Sequence, residues 1–213
     1  MDVSMVICLL VLGAVAGFAA GLLGIGGGML LVPLLTMLFS WQGMPPELVV
    51  HAAIATSMTS ILFTSISSVR AHQQRGTIKW NIVWAMAPGI GFLSGLVGAG
   101  GGFLSVPFMV WCNVALHNAV STSAALGFPI ALANSVGYVV SGLNEGATRP
   151  GMLGYIYWPA LLALVCTSVL TAPLGARMAH RLPVQTLKRV FACLLFALAA
   201  YMLFKAWQTF AAQ

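Results

Sequence analysis

The chain contains one glycine-rich segment twice. Residues 17–35 read GFAAGLLGIGGGMLLVPLL and residues 91–109 read GFLSGLVGAGGGFLSVPFM, which share eleven of nineteen positions. Each copy places three consecutive glycines inside an otherwise apolar stretch. At membrane depth, backbone that is not helical is tolerated only where it is buried in protein or lines a cavity. Two such interruptions in corresponding halves indicate a transporter site.

The composition is that of a polytopic membrane protein. Of 213 residues, 60% are hydrophobic and 6% are charged, whereas soluble domains have roughly 25% charged residues. A helix needs about 20 apolar residues to cross the hydrocarbon core. Runs of suitable length lie at 3–23, 50–70, 117–141, 152–174 and 184–207. The sequence contains no basic stripe with interleaved aromatic residues, so a nucleic-acid partner is not expected.

Two shorter apolar segments, 29–40 and 103–112, follow the glycine runs. Each has about half to two-thirds of the length of a span. Pro33 and Pro107 fit in or near the first turn of such a segment, where a missing N–H does least harm. The predicted fold class is all-α, a polytopic membrane protein with two inverted-topology repeats, each containing a glycine-broken helix or re-entrant hairpin.

The repeat continues beyond the glycines. Residues 51–57, HAAIATS, match residues 117–123, HNAVSTS, so each half has a glycine run, a short linker and a helix that opens with Thr-Ser. We therefore predict a first repeat at 1–90 and a second at 91–213.

The loops 70–79 and 177–189 contain seven of the nine basic residues. Because Lys and Arg in short loops mark the cytoplasmic side, both loops are predicted to be cytoplasmic and the acidic residues to lie outside. In repeat order the first basic loop follows the Thr-Ser helix, whereas the second comes one helix later. Inverted halves would produce this shift.

The first half is too short to match the second. Gly76 lies 15 residues before Gly91, whereas the equivalent Gly151 lies 62 residues before Gln213, so about 47 residues are lacking near 89–91. We hypothesise that a helix and a half is absent, either left out of this sequence or deleted.

The glycine triplets are the first candidates for an anion site. A glycine run before a helix exposes backbone N–H groups at the positive end of the helix dipole. The predicted substrate-binding glycines are Gly26, Gly27, Gly28, Gly100, Gly101 and Gly102. The alternative is that they only permit close helix packing, which is the role predicted for Gly13, Gly17 and Gly21.

Hydroxyl and amide side chains are the next candidates, because they can bind an oxyanion without a fixed countercharge. Thr56, Ser57, Thr122 and Ser123 lie at equivalent places, with Ser60 and Asn134 further along their helices. The alternative is that these side chains bond to their own helix or hold helices together.

His51 and His117 lie at the mouths of the two Thr-Ser helices and could relay protons, although an interfacial histidine is often a boundary residue. No nucleophile and base are suitably spaced, so no enzyme is predicted, and no cofactor or metal site is expected. The cysteines are scattered singly and are interpreted as buried free thiols: Cys8, Cys112, Cys166 and Cys193.

The two GxxxGLxGxGGGxxxxP copies, the Thr-Ser helices and the stretch LGFPIALANSVGYVVSG at 126–142 resemble the TauE/SafE sulfite exporter family, also called the four-toluene-sulfonate uptake family. The resemblance implies a carrier for small sulfur-containing or organic anions, coupled to the proton gradient, with two inverted halves whose broken helices meet centrally. The matching positions here are the two glycine triplets and Thr56, Ser57, Thr122 and Ser123. Family members are usually longer than this chain.

The expected function is a secondary transporter for sulfite, a sulfonate or sulfoacetate, working by alternating access in a bacterial inner membrane. Its partners are the small anion and membrane lipid, and a homodimer is compatible with the sequence. A non-transporting scaffold or assembly protein is the main alternative, and its glycines would serve packing alone. A cation carrier is disfavoured because no carboxylate lies at membrane depth.

Overall fold

The computed structural model describes residues 3–24, 27–97, 102–146 and 151–183, and then 185–186, 189–190, 192–193, 196–197, 200 and 203. Between Val3 and Arg181 the described residues form seven α-helices and a two-stranded antiparallel hairpin. The helices are α1 Val3–Leu23, α2 Gly28–Trp41, α3 Pro46–Gln73, α4 Trp80–Val97, α5 Gly102–Trp111, α6 Leu116–Asn144 and α7 Trp158–Arg181. The hairpin consists of β1 Met152–Leu153 and β2 Ile156–Tyr157.

Four of these helices, α1, α3, α6 and α7, are long and apolar enough to cross a membrane. The prediction of an all-α polytopic membrane protein is therefore confirmed. The spans predicted at 3–23, 50–70 and 117–141 each fall within one helix. The span predicted at 184–207 lies largely outside the described residues.

The span predicted at 152–174 is wrong at its beginning. Residues 152–157 form the hairpin, and α7 begins only at Trp158. The physical reason is backbone geometry: Gly151 and Gly154 have φ values of 84° and 57°, a conformation that suits a tight turn and stops a helix. Apolar composition alone cannot separate a short buried strand from a helix.

The two short helices have the lengths that the sequence predicted, 14 residues for α2 and 10 for α5. The prolines lie near the first turn, as predicted, but not within it. Pro33 and Pro107 are each the sixth residue of their helix, beyond the first turn, because both helices begin at the last glycine of a triplet.

Contacts between helices fix their directions. Along α1, Gly13 lies against Leu164 and Gly21 against Ala172, so α1 and α7 run the same way. The ring of His72 near the end of α3 contacts Ser121 near the beginning of α6, so these two helices run in opposite directions. The basic ends of α3 and α7 therefore lie together, which we call the basic end of the molecule.

Glu47 in the first turn of α3 and Glu145 after α6 lie at the other end, the acidic end. This separation agrees with the predicted orientation, in which basic loops are cytoplasmic and acidic residues are outside. α4 runs beside α6 in the same direction, since Lys79 contacts Thr122 and Phe92 lies near Asn134.

α4 is one helix of 18 residues, about 27 Å long. It continues without interruption through Pro88 and Phe92, where the first half is short. Both explanations for the missing residues stay hypotheses. Residues 80–90 alone are too short to cross the membrane. α4 also includes the beginning of the second glycine copy, up to Val97, and reaches 18 residues in this way.

The four cysteines are free, as predicted, but the prediction that they are buried is wrong. All four are exposed on the surface of the protein. A thiol behaves as a small apolar group, so a cysteine on a membrane-spanning helix can face lipid as readily as the core.

Small residues hold α1 against α7. A Cβ added at Gly17 would lie 2.5 Å from the Cα atom of Ser168, and one added at Gly175 would collide with the backbone of Phe18. The two backbones are therefore in contact. Because the hydrophobic effect does not drive helices together in lipid, van der Waals contact of this kind stabilises the pair. The predicted packing role of Gly13, Gly17 and Gly21 is confirmed.

We predict that Gly17→Leu separates α1 from α7 and lowers the free energy of unfolding by at least about 1–3 kcal/mol, because the added side chain meets backbone that cannot move aside. Gly137→Leu is the matched control, since no atom lies within 4 Å of the position of its added Cβ. Thermal unfolding in detergent measures both. Equal melting temperatures for the two variants would contradict the packing role.

Candidate functional site

α3 carries a buried row of polar side chains along its length. The row consists of Thr56, Ser57, Thr59, Ser60, Thr64, Ser65 and Ser68, and it ends at His72. We call it the α3 hydroxyl row. Two of its members reach other helices: Thr59 donates to Ser135 of α6 at 3.2 Å and Thr64 donates to Ser168 of α7 at 2.9 Å. The row therefore forms a polar seam at the centre of the helix bundle.

A small cavity lies beside this row. Its volume is about 10 Å³, and it lies between Ala20 of α1, Ala124 of α6 and the hydroxyl row near Thr64. That volume is close to the minimum for one water molecule. The hydroxyls of Ser57 and Ser68 are buried without a hydrogen-bond partner, so the seam has unused polar capacity.

Ser123 joins the first glycine segment to the second half of the chain. Its hydroxyl donates to the carbonyl oxygen of Gly24 at 2.7 Å and lies 2.7 Å from the hydroxyl of Ser105 on α5. Gly24 has φ of 67°, and a Cβ there would collide with the carbonyl oxygen of Val120. The end of α1 is therefore held directly against α6.

The predicted glycines fall partly within the described residues. Gly27 caps α2 with φ of 77°, and Gly28 is the first residue of that helix. Gly102 is the first residue of α5 and is buried. Gly26, Gly100 and Gly101 lie outside the described residues.

Thr56 and Thr122, which are equivalent in the repeat, make equivalent contacts. The backbone N–H of Tyr157, just before α7, donates to the hydroxyl of Thr56 at 3.1 Å. The backbone N–H of Lys79, just before α4, donates to the hydroxyl of Thr122 at 3.0 Å. Each threonine thus fixes the beginning of a helix.

Ser60 and Asn134 bond to their own helices, as the alternative reading described. Ser60 donates to the carbonyl oxygen of Ser57 at 3.0 Å, and Asn134 donates to that of Ile130 at 2.9 Å. Asn134 borders a pocket of about 410 Å³ between α4 and α6. The structure does not bring it to the hydroxyl row.

The two predicted histidines lie at opposite ends of the molecule. His51 is exposed at the acidic end, where its ring stacks on Tyr155 with centroids 5.1 Å apart. His117 lies at the basic end, 5.7 Å from the ring of His180, which in turn contacts His72. Sequence reasoning missed His72 and His180, because they are 108 residues apart and belong to basic loops that were interpreted only as orientation signals.

Glu145 and Tyr155 form a hydrogen bond at the acidic end, where the phenol donates to the carboxylate at 2.5 Å. This bond, and a weaker one from Ser141, lower the pKa of Glu145, while the carboxylate raises the pKa of Tyr155. The pair ties the hairpin to the end of α6. Among the described residues, no three His, Cys, Asp or Glu side chains are arranged to hold a metal ion.

The helices, their apolar surfaces and the buried polar seam define a polytopic membrane protein. The sequence profile described as sulfite exporter TauE/SafE matches residues 9–90 and 88–202. The chain belongs to this family.

Relatives share most of the chain. A probable membrane transporter protein of Haemophilus influenzae is 31% identical over 93% of this chain and 98% of its own length. One from Methanocaldococcus jannaschii is 23% identical over 92% of this chain and 94% of its own. The probable membrane transporter protein MamO of Magnetospirillum gryphiswaldense is 35% identical over 54% of this chain and 18% of its own. No solved structure matches the chain.

The alignment with the Haemophilus influenzae protein contains a large gap on the side of this chain. The alignment spans 259 positions. It includes 93% of the 213 residues of this chain, which is about 198 residues. The two stretches that match the family profile meet at 88–90. This meeting point coincides with the place where the first half is short.

We predict that Ser123→Ala lowers the free energy of unfolding by about 1–3 kcal/mol, because it leaves the Gly24 carbonyl and the Ser105 hydroxyl without this partner. Ser40→Ala is the control, since Ser40 is exposed and bonds only to its own helix at Thr36. Chemical unfolding in detergent compares the two. A loss no larger than that of the control would contradict the role of Ser123.

We predict that Tyr155→Phe raises the pKa of Glu145 towards its ordinary value. Since the pKa is lowered in the folded protein, the pairing stabilises the fold above the ordinary pKa and is lost as pH falls through the lowered value. Carboxyl NMR measures the titration of Glu145, with the Glu47 signal as internal reference. An unchanged titration curve would show that Tyr155 does not hold this carboxylate.

Proposed function

We propose that this protein is a secondary carrier that moves a small sulfur-containing or organic anion, of the sulfite, sulfonate or sulfoacetate type, by alternating access coupled to protons. The observation that carries the proposal is the buried polar seam of a family member, built from hydroxyls and imidazoles. Intramembrane polar groups are costly and mark transport pathways. The relatives' names and the family description support transport of this kind.

The chemistry of the seam favours an anion. Hydroxyl groups and helix N-termini donate hydrogen bonds, which oxyanions accept. Metal cations such as Ca²⁺ and Mg²⁺ prefer carboxylate and carbonyl oxygens, and the described carboxylates, Glu47 and Glu145, lie at the acidic end. The proposal therefore assigns the substrate site to Gly27, Gly28 and Gly102 with the neighbouring hydroxyls.

The directions of the elements support inverted repeats with interrupted helices. α1 runs towards the basic end and α4 towards the acidic end. In the first half, α2 follows α1 and returns to the acidic end, where the ring of Phe39 packs edge-on against that of Tyr157 with centroids 5.6 Å apart. α5 leads back to the basic end, from Ser105 beside Ser123 to the loop before α6. Under this proposal the two halves are related by an axis in the membrane plane.

We also propose that the first half is shortened by a true deletion. Ile78-Lys79-Trp80 before α4 resembles Ile156-Tyr157-Trp158 before α7, and the Lys79 and Tyr157 amides make the equivalent threonine contacts. The end of α4 belongs to the second glycine copy. α4 thus begins as the counterpart of α7 and ends as the counterpart of α1, with the segment between them absent.

The size of the central cavity favours one alternative function. A scaffold or assembly protein would have a tightly filled centre, and about 10 Å³ does not admit an anion. Under the carrier proposal the structure is a closed conformation that opens at one end. Measured flux separates the two functions.

The proposed location is the plasma membrane, as expected for bacterial relatives.

We predict that Gly27→Ala lowers anion flux at least about tenfold, which corresponds to about 1.4 kcal/mol, since alanine is strained at φ of 77° and would move the beginning of α2. Gly43→Ala is the matched control, because Gly43 has φ of 71° with no atom within 4 Å of an added Cβ. Flux of sulfite, thiosulfate, sulfonates and carboxylates into proteoliposomes measures the effect.

Both variants carry the same backbone strain, so loss of flux in Gly27→Ala alone identifies the first glycine segment as part of the pathway. Equal flux in both variants would remove Gly27 from the site. An absence of flux for the whole anion panel in the wild-type protein would favour the scaffold.

A further inference from the structure

Three imidazole rings from three helices meet at the basic end. His72 of α3 is fully buried, and its ring centroid lies 5.1 Å from that of His180 on α7. His180 in turn lies 5.7 Å from His117 of α6. His72 also contacts Gly21 near the end of α1. Three of the four histidines in the chain are therefore collected at one place.

The hydrogen bonds of His72 define where its protons lie. Nε2 is 3.3 Å from the carbonyl oxygen of Gly21, and because a carbonyl oxygen only accepts, Nε2 carries a hydrogen. Nδ1 is 3.0 Å from Nε2 of His180 and 3.0 Å from the hydroxyl of Ser121. In neutral His72 this Nδ1 is an acceptor, and His180 or Ser121 donates to it.

The same heavy-atom positions also suit the protonated pair. If the pair gains one proton, a single hydrogen lies between Nδ1 of His72 and Nε2 of His180, while Nε2 of His72 and Nδ1 of His180 each carry one hydrogen. Ser121 can turn its hydroxyl to the carbonyl oxygen of His117, 2.8 Å away, while it accepts from Thr77 at 2.7 Å. Both protonation states are thus hydrogen-bonded without movement of the backbone.

The positive groups around the pair disfavour its protonation, and a bound anion would counteract them. Arg75 acts electrostatically on both His72 and His180, and His117 acts on His180. α1 contributes a backbone carbonyl, and in the described part of the chain both carboxylates, Glu47 and Glu145, lie at the opposite end. A positive charge on the pair is therefore repelled by Arg75, and a negative ion bound nearby would offset this repulsion.

The pair is also mechanically connected to the first glycine segment. Gly21, which accepts from His72, lies three residues before Gly24, whose carbonyl is held by Ser123. The Nδ1 atom of His117 is buried without a partner and is available to an incoming ligand. Proton and anion thus act on the same end of α1.

We propose that His72 and His180 form a shared proton-binding site that takes up one proton together with the transported anion. The inference rests on the proposed carrier function and names the residues that couple it to protons. By linkage, the anion raises the affinity of the pair for the proton, and the proton raises the affinity for the anion by the same factor. His117 is a positioning residue for the anion beside the pair.

The test uses His72→Gln and His180→Gln, which keep a hydrogen-bonding side chain but cannot bind a proton in this range. Ser40→Ala is the control for transport, because Ser40 is exposed and its hydroxyl bonds to Thr36 of its own helix. His51→Gln is the control for the ring titrations described below, because His51 lies at the acidic end. Proteoliposomes receive radiolabelled sulfoacetate under a gradient of one pH unit, and counterflow of the same anion is measured without a gradient.

At zero membrane potential, we expect the wild-type protein and Ser40→Ala to accumulate sulfoacetate up to about tenfold, the limit for one proton per anion. His72→Gln and His180→Gln should lose this accumulation but retain counterflow, which needs no net proton movement. Accumulation by these two variants at the wild-type level would overturn the proton site and leave the carrier function intact.

A second measurement decides the proton site when no flux is found. Imidazole ¹⁵N NMR of the protein in nanodiscs follows each ring with pH. We expect the His72 and His180 signals to titrate together, and His180→Gln to shift the titration of His72 while His51→Gln leaves it in place. Independent titration of the two rings would overturn the inference whatever the transport result.

Discussion

Hydrocarbon offers no partner for a polar group, so the hydroxyls and imidazoles that the sequence places at membrane depth must be enclosed within the protein. The α3 hydroxyl row shows how this constraint organises the fold. Its side chains reach Ser135 on α6 and Ser168 on α7, so α3 becomes the central helix against which the others are arranged. Apolar surfaces can then face lipid.

Close backbone packing supplies what the polar contacts do not. α1 lies against α7 through glycines, and Ser123 links Gly24 to α5. The glycine-rich segments therefore serve two purposes. They let helices touch, and they place backbone groups beside a polar seam. Packing and binding are not exclusive roles for such residues, since the same absence of Cβ serves both.

The sequence was sufficient to predict the membrane class, three full spans, the two short helices and the segregation of charge, because each depends on apolar length or on local composition. It was insufficient for the hairpin at 152–157, whose turn depends on glycine dihedral angles, and for the exposure of the cysteines. The repeat marked Thr56, Thr122 and Ser123, and the structure places all three in contacts between segments. Their part in substrate binding stays a prediction. The pairing of His72 with His180 escaped prediction because it depends on the relative height of two helices.

The duplicated Thr-Ser helices place equivalent histidines at opposite ends of the molecule. His51 and His117 hold equivalent positions in the repeat, yet the His51 ring stacks on Tyr155 at the acidic end and the His117 ring lies beside His180 at the basic end. Identical side chains are thus placed in unlike surroundings by two similar sequence segments. Under the proposed carrier function, this difference between the two ends supplies the asymmetry that directional transport needs.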